Sequence, residues 1–178
     1  YRSPRPWRVR VRFAGRAFRA IDPRWSFGPL SGEGAALRGA RFNPRGTLAL
    51  YLSLDPVTAI NEVAQGFAGR IPPCVLCDYD VDCADIVDLG TPDAWGIAGV
   101  TFETLSCAWK LASPAPSQQL AARLIREGAA GIIVPSFAIG AGEHDRNLVL
   151  WKWGPDAPHR VMVFDPSGRL PKNQLSWP

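Results

Sequence analysis

Strand-like and helix-like stretches follow one another in this chain in an order that no regular β-α alternation produces. Strand periodicity, or a short fully apolar run, occurs at "WRVRVRF", "LALYLSL", "CVLCDYDV", "CADIVDL", "GIIVP", "LVLWKW" and "HRVMVFD". Helical periodicity occurs only at "DPVTAINEVAQGFAG", "TFETLSCAWKLA" and "PSQQLAARLIREGA". A doubly wound parallel sheet needs a crossover after every strand, and there are too few helices to supply them. The pattern therefore predicts an α+β fold, with mixed and antiparallel strands flanked by helices. With 47% hydrophobic and 20% charged residues, the 178-residue chain has enough apolar material for one core, so a single domain over residues 1–178 is expected.

Local signals sharpen several elements. In "WRVRVRF", Trp7, Val9, Val11 and Phe13 alternate with Arg8, Arg10 and Arg12, which predicts a strand with a buried apolar face and a solvated arginine face. Residues 22–45, rich in Gly and Pro, read as a turn-like segment without periodicity; a segment of that length in a compact domain is usually functional or disordered. Asp55 is a good N-cap and Pro56 fits the first helical position, while Gly66 or Gly69 can end that helix. On it Ala59, Ile60, Val63, Ala64 and Phe67 share a face that excludes Glu62, so Glu62 must look at solvent or into a cleft. Ser117 is a candidate cap for the third helix, which should end at Gly128.

Composition excludes several functions. No apolar stretch is long enough for a membrane-spanning helix, and the arginine-rich opening lacks a secretory h-region, so a cytoplasmic protein is expected. The Cys74-x-x-Cys77 pair has neither a second pair nor nearby histidines; Cys74, Cys77, Cys83 and Cys107 read as small core residues in a reducing compartment, and no metal is expected. Walker, dinucleotide-binding, nucleophile-elbow and zinc-protease signatures are all missing. His144 in a loop and His159 at a strand start read as surface residues. The net charge of +4, carried largely by arginine, suits an anionic partner without implying a nucleic-acid coat.

What remains for chemistry is a set of polar residues at strand ends and in loops: Arg41 and Asn43, Tyr51, Glu62, Ser136 and Asn147. Their order, in "GEGAALRGARFNPRGTLALYLSLDPVTAINEV", "GIIVPSFA" and "RNLVLW", resembles the RES-domain family. The match runs through Gly39, Arg41, Asn43, Tyr51, Glu62, Pro135, Ser136 and Asn147, with Arg19 fitting the family's early arginine. Ala40 and Phe42 depart from the family's glycine and tryptophan. The resemblance spans about Ala17 to Trp153.

The resemblance implies a toxin of a bacterial toxin–antitoxin pair, with a fold like that of ADP-ribosylating toxins and NAD as substrate. It implies a helix-turn-helix antitoxin that occludes the cleft, with nucleic acid reached only through that partner and no membrane. ADP-ribose would pass to a protein target, phosphate or water. Breaking the nicotinamide–ribose bond expels a neutral group from a cation, so the transition state wants a carboxylate more than a strong acid. Glu62 is the candidate for that role, with Arg41 and Arg19 for the pyrophosphate. Tyr51 would stack on the nicotinamide or bond a ribose hydroxyl, Ser136 would hold the carboxamide or ribose, and Asn147 would brace the loop. A competing reading is a non-enzymatic nucleic-acid-binding module using the arginine-rich strand and the seven tryptophans.

Overall fold

The computed structural model describes residues 9–176, so Trp7 and Arg8 of the opening strand lie outside the described residues. Strand β1 runs Arg10–Ile21 and pairs along its length with β3, Val75–Asp88. The two runs read separately from the sequence, "CVLCDYDV" and "CADIVDL", are this one strand. The alternation in "WRVRVRF" does not hold: Val9 is buried but Val11 is 40% exposed. Opposite it the register shifts: Val11 faces Ile86 while Phe13 faces Cys83, leaving one extra residue on β3, where Asp85 takes φ +60° and the buried positions move from Cys83 to Ile86. A bulge flips the side chains on either side of it to opposite faces.

The remaining strands are β2 (Leu50–Ser53), β4 (Gly131–Pro135), β5 (Arg146–Leu150) and β6 (His159–Val163). The order is β1-β2-β5-β4-β3-β6, and since β1 also pairs with β3, the first five strands close into a ring. Only β3–β4 is parallel. The β1–β2 seam is a single rung, Phe18 against Ser53. The ring is thus weakest where the cleft described below opens. Apolar clusters lie on both faces of β4 and β5: Ile132, Val134 and Val149 face one, Ile133, Leu148 and Leu150 the other. Burial on both faces is why "GIIVP" is apolar throughout. Gly131 is required by close strand approach, since a methyl there would meet the Val149 carbonyl oxygen at 2.5 Å.

Among the described residues five α-helices accompany the sheet. The turn-like segment 22–45 holds a short 3-10 turn, Pro23–Trp25, and α1, Glu33–Arg38, too short to leave a periodic trace. Helix α2, Pro56–Ala64, is capped by Asp55, whose side chain accepts from the Val57 and Thr58 N–H groups. It ends before either glycine, continuing as one 3-10 turn through Phe67, which is exposed rather than packed. Helix α3, Pro92–Ala98, escaped the periodicity analysis although Pro92 at its start and Gly99 at φ +65° beyond its end are helix signals. "TFETLSCAWKLA" is not one helix: α4 covers Phe102–Ser106, Cys107 is extended, and Trp109–Leu111 forms a 3-10 turn. Helix α5, Pro116–Arg126, is followed by Gly128 at φ +87°. No side chain among the described residues, Ser117 included, caps its first N–H groups; instead the Gln118 side chain reaches back and accepts from the N–H of the preceding residue, Ala115, at 3.1 Å.

The arginine face of β1 is neutralised across the sheet. Arg12 forms a two-bond pair with Asp82 at 2.6 and 2.7 Å, and Arg16 pairs with Asp78. Such exposed pairs add little stability, but they remove the bare cationic stripe a nucleic-acid surface would need. Cys77 and Cys83 are buried and Cys74 and Cys107 half-buried, all as free thiols. Among the described residues no helix is long and apolar enough to cross a membrane.

Candidate active site

The loop after α1 is rigid despite its glycines. Gly39 at φ +71° and Gly46 at φ +85° bracket it, conformations that favour glycine. Between them Ala40 and Asn43 bond each other's backbone, making a tight turn with Arg41 and Phe42 at its tip. Asn43, fully buried, donates its amide to the carbonyls of Ala35, Pro44 and Thr47. Helix α5 grips the turn from below: Ser117 Oγ donates to the Arg41 carbonyl at 2.6 Å and Gln118 Nε2 to the Ala40 carbonyl at 3.0 Å. Phe42 packs in the core and its carbonyl accepts from the Trp151 indole.

With its backbone so fixed, Arg41 points into a cleft of about 660 Å³. Its Nη1 donates to the Cys107 carbonyl at 2.6 Å and the Leu105 carbonyl at 3.2 Å, and the guanidinium lies over the Phe137 ring at 4.9 Å. These two carbonyls lie in the last turn of α4 and just beyond it, where a helix leaves its carbonyls without partners. Burial lowers the Arg41 pKa from its ordinary value, opposed by Cys107, Glu62 and Tyr51. A partly desolvated cation with unused donors is a strong anion site.

Glu62, projecting from α2, is the carboxylate of the same cleft. Oε1 accepts from Ser136 Oγ at 2.6 Å and Asn147 Nδ2 at 2.5 Å, and Oε2 accepts from Gln65 Nε2 at 2.9 Å. Three donors leave it little freedom to turn. Ser136 is 8% exposed and meets the cleft through Glu62. The resemblance implied that Ser136 touches substrate; its hydroxyl proton is directed at Glu62.

Tyr51 and Asn147 also line the cleft, as does Arg19, whose Nη1 is anchored on the Pro29 and Ser31 carbonyls at 3.2 and 3.1 Å. The Tyr51 ring faces the cavity, while its hydroxyl donates to Asn43 Oδ1 at 2.7 Å and accepts from the Phe42 N–H at 3.0 Å. Burial raises its pKa, so the phenol keeps the proton it gives to Asn43. Tyr51 is therefore a tie-rod of the arginine turn. Tyr51→Phe leaves two buried groups without their partner, and we expect a loss of about 1–3 kcal/mol of stability. Thermal denaturation measures it; an unchanged midpoint would contradict the tie.

Of the seven residues singled out from the sequence, Arg19, Arg41, Tyr51, Glu62 and Asn147 line one cleft and Ser136 reaches it through Glu62, whereas Asn43 is buried beneath the arginine turn and does not meet the cleft. Sequence reasoning missed Gln65, Ser53 and the Trp109–Lys110 wall. Two of these carried a signal. Gln65 sits three residues after Glu62 on a helix, and Ser53 two after Tyr51 on a strand, so each shares its partner's face. Lys110 was hidden by the expectation of a continuous helix. His159 lies elsewhere, 3.4 Å from Asp85. Among the described residues no cluster of His, Cys, Asp and Glu could hold a metal ion.

The structure thus defines an α+β domain whose sheet opens onto a cleft that holds two arginines and one fixed carboxylate. The chain matches the RES domain over residues 16–173 and belongs to that family. The match runs past Trp153, where the motif resemblance stops. Among solved structures the chain is similar to one in the crystal structure of the M. tuberculosis MbcT–MbcA toxin–antitoxin complex, with 21% identity and a TM-score of 0.60. That similarity covers 89% of this chain and 86% of the other, and establishes a shared α+β fold. No curated protein sequence gives a significant match.

Proposed function

We propose that this domain is the toxin of a bacterial toxin–antitoxin pair, acting in the cytoplasm, and that it cleaves NAD at the nicotinamide–ribose bond. ADP-ribose passes to an acceptor: a protein side chain, phosphate or water. One observation carries the reading: Glu62, fixed by three donors, shares its cleft with two arginines anchored on backbone carbonyls.

Each part has a task in that reaction. Arg41 and Arg19 hold the pyrophosphate, whose two charges match two guanidinium forks. Glu62 faces the ribose, where positive charge grows as nicotinamide departs, and its fixed orientation means that no reorganisation is needed as the charge develops. Because the leaving group is neutral, the cleft needs no histidine acid. A cognate helix-turn-helix antitoxin covers this cleft; the toxin–antitoxin complex that contains the similar chain supports that expectation.

The test is incubation of the purified protein with NAD, with and without phosphate and cell lysate. Mass spectrometry of the small molecules, and a search for proteins that gain ADP-ribose, distinguish hydrolysis, phosphorolysis and protein modification. Intact NAD under all conditions would overturn the reading.

A further inference from the structure

Glu62 is held by Asn147, and Asn147 is in turn held by Ser53. Phe18 of β1, Ser53 of β2, Asn147 of β5 and Val134 of β4 lie on one rung of the sheet. Ser53 is 4% exposed, and its backbone is bonded into the sheet on both sides. Directly opposed residues of an antiparallel pair carry their side chains on the same face, close enough to touch. Here Ser53 Oγ donates to Asn147 Oδ1 at 2.8 Å, and Asn147 Nδ2 donates to Glu62 Oε1 at 2.5 Å.

A carboxamide has a donor end and an acceptor end, and only the donor end is useful beside a carboxylate. Turning the N–H end to Glu62 sends Oδ1 towards the sheet, where Ser53 Oγ is its partner. Without that hydroxyl the productive orientation leaves the Oδ1 atom without its protein partner, and the amide loses what favours this orientation over the flipped one. With it, the bond at Oδ1 polarises the amide and strengthens its N–H donor.

We propose that Ser53 is a positioning residue for the Glu62 carboxylate and acts on it through Asn147. The assignment rests on the reading of Glu62 as the group that faces the reacting ribose. Ser53 touches no reacting atom in this scheme, so its removal alters how Glu62 is held rather than how NAD is bound.

Ser53→Ala should lower kcat for NAD cleavage about tenfold, the upper end of what one neutral hydrogen bond carries, with KM within about twofold. Ser53→Thr, which keeps the hydroxyl on a strand-compatible side chain, restores most of that loss. Since Ser53 works through Asn147, the double variant Ser53→Ala/Asn147→Ala should be no slower than Asn147→Ala alone. Multiplying losses in the double variant would overturn the proposal, as would a threonine variant no faster than the alanine one. An independent measurement follows the Asn147 side-chain amide by NMR. In Ser53→Ala its two N–H signals should shift and exchange faster with water while the backbone spectrum of the core stays in place; unmoved signals would sink the assignment. If the wild-type protein consumes no NAD, the reading of the site fails, and the NMR measurement still decides whether Ser53 holds the amide.

Discussion

Glu62→Gln leaves a folded protein that has lost NAD turnover by about a thousandfold or more, with little change in KM. The amide is nearly the same size as the carboxylate, and its oxygen can still accept from Ser136 Oγ and Asn147 Nδ2. Gln65 can turn its own amide to face the new N–H end. Packing is therefore preserved, and only the charge is removed. A single fixed group aimed at developing charge in a water-poor site is worth about a hundred- to a thousandfold in kcat. Glu62 stands opposite a full positive charge in the proposed transition state, which sets the expectation at the upper end. Steady-state kinetics with a thermal melt separates the two effects: unchanged turnover would remove Glu62 from the mechanism, and a lowered melting point would show that its role is structural.

Arg41→Lys should reduce kcat/KM for NAD by about a hundredfold, mostly through KM. The guanidinium spends Nη1 on two carbonyls and lies over the Phe137 ring at 4.9 Å, leaving its remaining donors for an anion. An ammonium on a flexible stem cannot hold two carbonyls and still present a planar fork. It also leaves Leu105 and Cys107 carbonyls without their donor, loosening the segment between α4 and Lys110 that walls the cleft. Full affinity in the lysine variant would mean that the fork is not used on the pyrophosphate. In that case Arg19, anchored in the same manner, becomes the leading candidate.

Elements dictated by neighbours in sequence were legible. Asp55 followed by Pro56 announces α2 and Gly128 closes α5, because capping and positive φ are decided within a few residues. The apolar run at residues 131–135 is a strand buried on both faces, as its composition requires. Two features were not legible for one shared reason. The bulge at Asp85 depends on how β1 and β3 register, and the carbonyl at the Cys107 break is met by a guanidinium sixty-six residues earlier in the chain. Neither has a local signal, since the partner lies far away in sequence.

The candidate site divides along the same line. The resemblance to the RES family, carried by the order of Arg41, Tyr51, Glu62, Ser136 and Asn147, marked them as a set, and helical phase kept Glu62 off the apolar face of α2. What each side chain does was decided only when the strands closed. Ring closure puts Asn147 between Ser53 and Val134 and delivers Ser136 and Asn147 to one carboxylate oxygen across 74 and 85 residues of chain. It also diverts the Tyr51 hydroxyl to the arginine turn. Backbone propensity acts over a turn or a strand, whereas hydrogen-bond partnership is fixed by distances of about three ångströms that only the folded sheet creates.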